Sequence, residues 1–315
     1  MSKVVVLNGD VVNYDGHIDW STIGSDVVVY PTTAEAEILP RVADATVVVT
    51  KEMPLSGAVV RQFPASVKLV VEAGTGYNNH DLDALREKGI ALTNIPEYST
   101  QRVAHTAIML MLNLASSMQQ QLTMLAHHDY TNFTQHLQVD HVELNDKTLG
   151  VIGFGHIGQN VIKIAQALDM TILVNTRTPR ADRKGIHFTT LNDLLAKSDF
   201  VSLNLPLTPA TQHLINAETL ALMKPSSFLI NTARGGLVDE PALINALQNH
   251  TIAGAGLDVQ AHEPLDPASP LFTLPNVIVT PHMGWRGLET RQRLVQMIGA
   301  NIEAFLAGTP INQVD

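Results

Sequence analysis

Short apolar runs alternate with helix-length segments along almost the whole chain. In the first hundred residues, runs rich in β-branched side chains predict strands at residues 3–7, 27–30, 46–50, 68–72 and 91–93. A second series predicts strands at residues 149–153, 171–174, 200–205, 227–231, 254–259 and 277–280. Strands that are separated by helices pair in parallel through crossover connections. The pattern therefore predicts two α/β domains with parallel sheets.

Two longer segments have a helical pattern. Residues 101–127 are rich in Ala, Leu and Met and contain no Pro or Gly, which predicts one long helix that carries the chain between the domains. Residues 288–306 place apolar side chains at helical intervals, and Gly308-Thr309-Pro310 ends that helix. Residues 129–143 are polar and aromatic without a clear period, so we expect a connection or arm there.

Composition excludes several classes of protein. Thirty acidic against twenty basic residues give a net charge of -10, which argues against a general affinity for nucleic acid or for an anionic membrane. The absence of cysteine excludes disulfides, thiolate nucleophiles and cysteine-ligated zinc, and no HExxH-type ligand set is present, so no metal is expected. No run approaches the roughly 18 apolar residues of a membrane helix, and the apolar run at residues 4–7 is too short for a signal peptide. We expect a cytoplasmic protein.

The most informative motif is Gly153-Phe154-Gly155-His156-Ile157-Gly158, which lies between a predicted strand and a predicted helix. In a dinucleotide-binding unit with this G-x-G-x-x-G spacing, the first Gly makes the turn, the second lets the backbone approach a pyrophosphate, and the third lets the helix pack on the strand. The phosphates then lie at the helix N-terminus. The bare motif also occurs in structural turns and in methyltransferases, but the strand and helix around it favour a dinucleotide.

Six strands after one such motif fit a complete doubly wound Rossmann domain. The predicted fold is therefore α/β with two doubly wound parallel-sheet domains. A Rossmann cofactor domain at residues 101–287 is inserted into a flavodoxin-like substrate domain, which is made of residues 1–100 and 288–315.

The loop after the second strand of this domain favours NADP(H). NAD-preferring domains usually have an acidic residue about twenty residues after the motif, whereas an arginine accommodates a 2'-phosphate. Here the strand ends in Asn175-Thr176-Arg177-Thr178 without an acid, and Arg180, Arg183 and Lys184 follow. We expect Arg177 to be the main phosphate partner. NAD(H), with a solvated basic loop, stays open as the alternative.

Chemically useful side chains follow several predicted strands, where open α/β sheets bind ligands. In the second domain these motifs are Asn231-Thr232-Ala233-Arg234-Gly235-Gly236, then Asp258 with the later Glu263-Pro264, and Thr280-Pro281-His282. In the first domain they are Gly74-Thr75-Gly76-Tyr77-Asn78 and Tyr98-Ser99-Thr100. Taken singly, each has an ordinary explanation: a loop arginine, a helix or turn cap, a packing histidine or a turn.

Taken together, the motifs resemble those of the D-isomer-specific 2-hydroxyacid dehydrogenase family. The glycine motif, Arg234, Glu263 and His282 occur in the family's order and with its neighbouring residues, and the resemblance covers nearly the whole chain. Thr75-Gly76-Tyr77-Asn78, Tyr98-Ser99-Thr100 and Trp285 are similar to the glycerate dehydrogenase and hydroxypyruvate or glyoxylate reductase branch. Asn79-His80 and Met283-Gly284-Trp285-Arg286-Gly287 depart from many relatives, which leaves the shape of the substrate pocket open.

The resemblance implies a role for each motif. Arg234 would hold the carboxylate and carbonyl oxygen, His282 would donate the proton, and Glu263 would orient the imidazole. Thr75, Gly76 and Tyr98 would bind substrate from the other domain, so the site is expected between the domains. The implied cofactor contacts are Gly153, Gly155, His156, Ile157, Gly158, Thr176, Arg177, Leu205, Pro206, Thr232, Ala233, Asp258 for the nicotinamide carboxamide, and His282.

These expectations describe an NADP(H)-preferring oxidoreductase that reduces a small 2-keto acid, hydroxypyruvate or glyoxylate above others, and oxidises the D-2-hydroxy acid in reverse. An NAD-linked D-lactate-like or phosphoglycerate-type dehydrogenase is the alternative of the same class, although no long regulatory segment follows the catalytic core. A dinucleotide-sensing interaction protein, like the corepressors of the family, is the alternative of another class. The resemblance also implies a homodimer formed through residues 101–143.

Overall fold

The computed structural model describes residues 2–314 and divides into two compact units. The split unit comprises the described residues up to Ser99 and from Trp285 onward, and the inserted unit is Thr100–Gly284. The two units are described separately below.

The split unit is built on one six-stranded sheet in the order β2-β1-β3-β4-β5-β13, in which only β13 is antiparallel. Its elements are β1 (Val4–Val6), β2 (Val27–Val29), α1 (Glu35–Arg41), β3 (Val47–Thr50), α2 (Gly57–Val60), β4 (Leu69–Glu72), α3 (Leu82–Lys88), β5 (Ala91–Thr93), α11 (Leu288–Leu306) and β13 (Gln313–Val314).

Alternation along the strands divides the core of the split unit into two layers. Val4, Val6 and their neighbours in β3 and β4 pack with α11, whereas Val5 and Val48 belong to the layer that contains residues of α1, α2 and α3. Successive side chains of a strand point to opposite faces, so valine at every position fits a strand that is covered on both sides. The carboxyl ends of β4 and β5 lead into the loops that contain the substrate residues expected from the sequence.

The inserted unit contains a seven-stranded parallel sheet in the order β12-β11-β10-β9-β6-β7-β8. Its elements are α4 (Thr100–Ala115), α5 (Met118–Ala126), α6 (Thr131–Thr134), β6 (Thr148–Ile152), α7 (His156–Ala167), β7 (Thr171–Asn175), β8 (His187–Phe188), α8 (Leu191–Lys197), β9 (Phe200–Leu203), α9 (Ala217–Leu220), β10 (Phe228–Asn231), α10 (Glu240–Gln248), β11 (Gly254–Leu257) and β12 (Val277–Val279).

The first strand of the inserted unit, β6, lies between β7 and β9, so the strand order reverses at β6. Open α/β sheets bind ligands at the carboxyl ends of the strands beside such a reversal. The glycine motif at residues 153–158 follows β6 directly. The topology therefore positions this motif where a ligand is expected.

The predicted fold class is confirmed, and each of the eleven predicted strands, five in the first series and six in the second, is present with ends that differ by at most two residues. The strands β8 and β13 were not predicted. Each has two residues, which is too short for a periodic pattern.

The prediction of one continuous helix over residues 101–127 is wrong. The helix is interrupted at Ser117, whose φ of 46° is left-handed, and α5 starts at the next residue. The Ser117 hydroxyl donates to the carbonyl oxygen of Asp140 at 2.6 Å, which offers the chain a hydrogen bond outside the helix. A contact 23 residues away in sequence is invisible to a local pattern.

Among residues 2–314, none of the helices is both long and apolar enough to span a membrane. In the same residues, no group of three or more His, Asp or Glu side chains has the arrangement of a metal site.

Candidate active site

Two glycines of the motif after β6 are required by packing. Gly153 has a left-handed φ of 101°, and a Cβ there would lie 2.2 Å from the carbonyl oxygen of Asn204. A Cβ on Gly158 would lie 2.5 Å from the carbonyl oxygen of Gly153. These glycines let the turn lie against the loop after β9 and let α7 lie against the turn. The backbone nitrogen of Leu205, one of the expected cofactor residues, would lie 3.1 Å from the same Cβ on Gly153.

Gly155, the middle glycine, differs from the other two, because no protein atom would contact a side chain at this position. A Cβ on Gly155 would have no neighbour within 4 Å, and its φ of -79° is open to any residue. Gly155 is the N-cap of α7, whose first helical residue is His156. Free N–H groups and the helix dipole favour an anion at this position. The turn therefore leaves room for an anionic group to approach the backbone closely.

The loop after β7 brings arginines to the glycine motif. The guanidinium groups of Arg180 and Arg183 lie 5.6 and 5.5 Å from the ring centroid of Phe154, the residue between the first two glycines. The Thr176 hydroxyl donates to the Thr178 carbonyl oxygen at 2.7 Å, so this side chain shapes the loop. Arg177, which the sequence singled out, is exposed at the start of the same loop.

A hydrogen-bonded turn after β10 presents Arg234. The Asn231 side chain accepts from the N–H of Ala233 at 3.0 Å and donates to the carbonyl oxygen of Arg234 at 2.9 Å. Arg234 is half-buried, and its guanidinium donates to the Ala233 carbonyl oxygen at 2.8 Å. The hydroxyl of Thr232 is buried and has no hydrogen-bond partner among residues 2–314. The sequence reasoning missed Asn231 as the residue that builds this turn.

A close backbone contact joins the Arg234 turn to the loop after β11. A Cβ on Gly235 would lie 1.8 Å from the carbonyl oxygen of Gln260, so only glycine permits this approach. The N–H of Gln260 donates to Glu263 Oε1 at 3.0 Å. Glu263 therefore belongs to a loop whose position is fixed against the Arg234 turn.

Glu263 and His282 form a pair, with 2.8 Å between Glu263 Oε2 and His282 Nδ1. His282 has a left-handed φ of 48°, and its N–H donates to the Thr280 carbonyl oxygen at 3.0 Å. The imidazole remains 18% exposed. Because Nδ1 faces the carboxylate, Nε2 is the ring nitrogen that can meet a ligand.

Asp258 holds the backbone on both sides of His282. Its buried carboxylate accepts from the Thr280 hydroxyl at 2.6 Å, from the Met283 N–H at 2.9 Å and from the Gly284 N–H at 2.8 Å. The resemblance implied a contact with the nicotinamide carboxamide. The Asp258 carboxylate binds the turn that carries the imidazole, a contact that sequence spacing could not reveal.

In the split unit, the loop after β4 presents two backbone donors. The Thr75 hydroxyl donates to the carbonyl oxygens of Ile95 and Pro96 at 2.9 and 3.2 Å, and the Asn94 amide donates to the Thr75 carbonyl oxygen at 2.7 Å. The N–H groups of Thr75 and Gly76 donate to no acceptor within residues 2–314. The loop is therefore fixed by its other groups and fits an anion at these two amides.

Buried charged side chains lie next to this loop, and the sequence reasoning did not identify them. Lys51 follows β3, its side chain is 4% exposed, and its Nζ lies 2.6 Å from Glu52 Oε1. Burial would lower the pKa of Lys51, but Tyr98, Glu52 and Glu72 outweigh it and raise that pKa. The available signal was a lysine directly after an apolar β-branched run.

Comparison with known proteins agrees with this geometry. A family model described as "D-isomer specific 2-hydroxyacid dehydrogenase, NAD binding domain" matches residues 108–284. A hydroxypyruvate reductase of Blautia hydrogenotrophica is 35% identical over 99% of both chains. An NADPH-dependent glyoxylate/hydroxypyruvate reductase of Sinorhizobium meliloti, solved with NADP and malonate, is 29% identical with a TM-score of 0.86 over 99% of this chain and 96% of the other. A D-lactate dehydrogenase of Aquifex aeolicus, solved with NAD and lactic acid, is 30% identical with a TM-score of 0.82 over 98% of this chain and 96% of the other.

Proposed function

The chain belongs to the D-isomer specific 2-hydroxyacid dehydrogenase family of NAD(P)-dependent oxidoreductases, and on that premise we propose that it reduces hydroxypyruvate or glyoxylate with NADP(H). In reverse it oxidises the D-2-hydroxy acid. The observation that carries the proposal is the Glu263–His282 pair on a loop held against the turn of Arg234. The alternative of a cofactor-sensing interaction protein is not favoured, because the relatives described above are named as reductases and dehydrogenases.

In this proposal each side chain acts on the reacting atoms through a stated group. NADPH, when bound, supplies the hydride. His282 Nε2–H donates a proton to the carbonyl oxygen as negative charge develops on it. Glu263 keeps Nδ1 protonated and oriented, and Asp258 fixes the turn that carries the ring. The guanidinium of Arg234 holds the carboxylate and the carbonyl oxygen of the substrate in one plane.

The two amides of the loop after β4 supply the second carboxylate contact in the proposal. Backbone N–H groups bind a carboxylate without the entropic cost of ordering a long side chain, because the Thr75 loop is already tied to residues 94–96. The buried phenol of Tyr98 completes the substrate residues of the split unit.

For the cofactor, we retain the preference for NADP(H) over NAD(H). Arg180 and Arg183 beside Phe154 add to Arg177 the positive charge that a 2'-phosphate needs. The Sinorhizobium meliloti reductase was solved with NADP, whereas the Aquifex aeolicus enzyme was solved with NAD.

An Arg177→Ala variant is expected to raise KM for NADPH about tenfold more than KM for NADH, since a charged hydrogen bond is lost only with NADPH. Activity with NADH that equals or exceeds activity with NADPH in the unaltered protein would contradict the preference.

The test of the proposed reaction measures NADPH and NADH oxidation by absorbance with hydroxypyruvate, glyoxylate and pyruvate. A His282→Ala variant should lose about 10²–10⁴ in kcat, the usual contribution of a general acid, and change KM for NADPH much less. His262→Ala is the matched control, because that histidine is exposed and follows the preceding strand, β11, of the same unit. Unchanged turnover in His282→Ala would contradict the assignment of His282 as the proton donor.

We also propose a homodimer formed through the arm at residues 101–143. This segment exposes a group of large apolar side chains: Leu112, Met118, Leu122, Leu125, Tyr130, Phe133, Leu137 and Val142. Phe133 is 74% exposed. A segment that exposes so many large apolar side chains is typical of a protein interface. The family resemblance indicates a second copy of the chain as the partner.

A further inference from the structure

The carboxyl ends of β3 and β4 contain charges that a sheet core does not need. Lys51 is buried beside Glu52, and Glu72 is fully buried with 2.9 Å between its Oε2 and His80 Nε2. Burying such groups is costly even when they are paired, and apolar residues of similar volume would serve the core as well. The proposed reaction assigns no role to any of these four residues.

The Lys51 ammonium lies against the loop proposed to bind the substrate carboxylate. A Cβ on Gly74, the residue before Thr75, would lie 3.2 Å from Lys51 Nζ. Gly74 thus allows the loop and the ammonium to approach each other. Nζ therefore lies beside the residue that precedes the first of the two backbone donors.

Tyr98 is the second member of this group. Burial raises the pKa of the Tyr98 hydroxyl, and the adjacent Lys51 ammonium counteracts part of that rise. The phenol therefore stays neutral beside a charged ammonium. An ammonium can donate three hydrogen bonds, and the bond to Glu52 accounts for one of them.

Trp285 is the third member. Its ring centroid lies 4.1 Å from Lys51 Nζ, so the indole ring stabilises the charged ammonium by a cation–π contact. Trp285 is 3% exposed, and its indole N–H has no hydrogen-bond partner among residues 2–314. Buried donors of this kind normally have a partner, and a ligand atom is one.

We propose that Lys51, Tyr98 and Trp285 form the subsite for the substituent on the third carbon of the 2-keto acid, and that the Lys51 ammonium donates a hydrogen bond to an oxygen there. The inference rests on the proposed function and narrows its substrate class to 2-keto acids with a hydroxyl group on that carbon. A 2-keto acid whose third carbon is a methyl group cannot accept this hydrogen bond from the Lys51 ammonium. A site built around a hydrogen bond rejects an analogue that lacks the bonding group much more strongly than an apolar pocket does.

Three substrates separate this subsite from the rest of the reaction. Hydroxypyruvate has a hydroxyl on the third carbon, pyruvate has only hydrogens there, and glyoxylate has no third carbon. Lys51→Met keeps the length of the chain over the indole and removes the charge. The ratio of kcat/KM for hydroxypyruvate to that for pyruvate should fall at least about tenfold in Lys51→Met, mainly through KM, because a charged hydrogen bond is lost. Lys51→Arg, which keeps the charge, should recover part of the ratio.

Lys68→Met is the matched control, because Lys68 is an exposed lysine just before β4 at the opposite end of the same sheet. It should leave the ratio unchanged. Trp285→Phe is a second, independent variant that removes the unpaired N–H and keeps the ring. Trp285→Phe should also lower the ratio of kcat/KM for hydroxypyruvate to that for pyruvate. If Lys51→Met does not fold, this variant alone tests the subsite.

The outcomes distinguish the subsite from the proposed function. An equal fall in kcat/KM for all three substrates would show that Lys51 has only a structural role and overturn the subsite. A ratio that neither Lys51→Met nor Trp285→Phe changes would do the same while the proposed function stands. Unaltered protein that reduces none of the three substrates with NADPH or NADH would overturn both.

Discussion

Single residues in this chain show the difference between a position that packing fixes and one that a ligand fixes. Gly153 and Gly155 are two residues apart in one turn, yet only Gly153 has a positive φ and a backbone oxygen in the place of a Cβ. Sequence alone treats the two as equal members of a motif. The structure assigns the first to the fold and the second to the proposed cofactor.

This difference predicts that alanine at Gly153 lowers stability, whereas alanine at Gly155 weakens cofactor binding. Gly153→Ala should lower the free energy of unfolding by more than about 1 kcal/mol, because alanine at positive φ is strained and its Cβ meets Asn204. Gly155→Ala should leave the melting temperature of the cofactor-free protein unchanged and weaken NADPH binding about tenfold or more. Thermal unfolding and a fluorescence titration with NADPH measure the two effects. Normal NADPH affinity in Gly155→Ala would refute the assignment of that glycine.

Sequence reasoning reached some site residues and not others for a physical reason. Arg234, Glu263 and His282 each stand in a short recognisable motif, and the structure brings Glu263 and His282 into hydrogen-bond contact. Lys51 has no motif, and its importance depends on Gly74 and Trp285, which are 23 and 234 positions further along the chain. Contacts across that separation are created only by the fold.

At the scale of elements, eleven strands were predictable because the two faces of each sheet are covered and each of these strands is an apolar run. The break between α4 and α5 was not, because Ser117 is held by a partner in a distant segment. Helix α11 was predicted with its observed bounds, residues 288–306, and Gly308 ends it with a left-handed φ of 77°. Local signals thus sufficed where the cause of a boundary is local.

An ion pair ties α11 to the N-terminal segment of the split unit. Arg291, whose side chain is 2% exposed, donates to both carboxylate oxygens of Asp15 at 2.8 and 2.5 Å and to the carbonyl oxygen of Val12 at 2.9 Å. The bond from Arg291 lowers the pKa of Asp15 from 3.8 to about 2. A carboxylate with a depressed pKa stabilises the folded protein above its ordinary pKa, and this stabilisation is lost as the pH falls through the lower value.

We therefore expect Asp15→Asn to unfold at a lower denaturant concentration than the unaltered protein at neutral pH. The difference should shrink below pH 3.8 and vanish as the pH falls below about 2, where Asp15 is protonated in both states. Urea unfolding across this pH range measures it. Asp83→Asn is the control, because its partner Arg86 and the carboxylate itself are both exposed. A difference that is independent of pH would argue against the ion pair as its source.

At the scale of the whole molecule, the proposed dimer predicts an effect of one exposed side chain. The chain mass is 34.2 kDa, and light scattering should give twice this mass for the unaltered protein at micromolar concentration. Phe133→Asp places a charge in an apolar interface and should shift the mass to that of a single chain. Tyr14→Asp, an exposed aromatic residue of the split unit, is the control and should stay dimeric. A monomeric unaltered protein would contradict the proposal.

The insertion of one unit into the other also has a consequence for protein synthesis. Leu294, Ile298 and Ile302 of α11 complete one core layer of the split unit, whose strands β1 to β5 are made almost two hundred residues earlier. The first 99 residues therefore leave the ribosome with one sheet face uncovered, whereas the inserted unit is contiguous and can fold as soon as Gly284 has emerged. Until α11 has been synthesised, the uncovered valines of β1, β3 and β4 form a surface to which chaperones can bind. The synthesis of α11 therefore determines when these strands are buried and protected from aggregation.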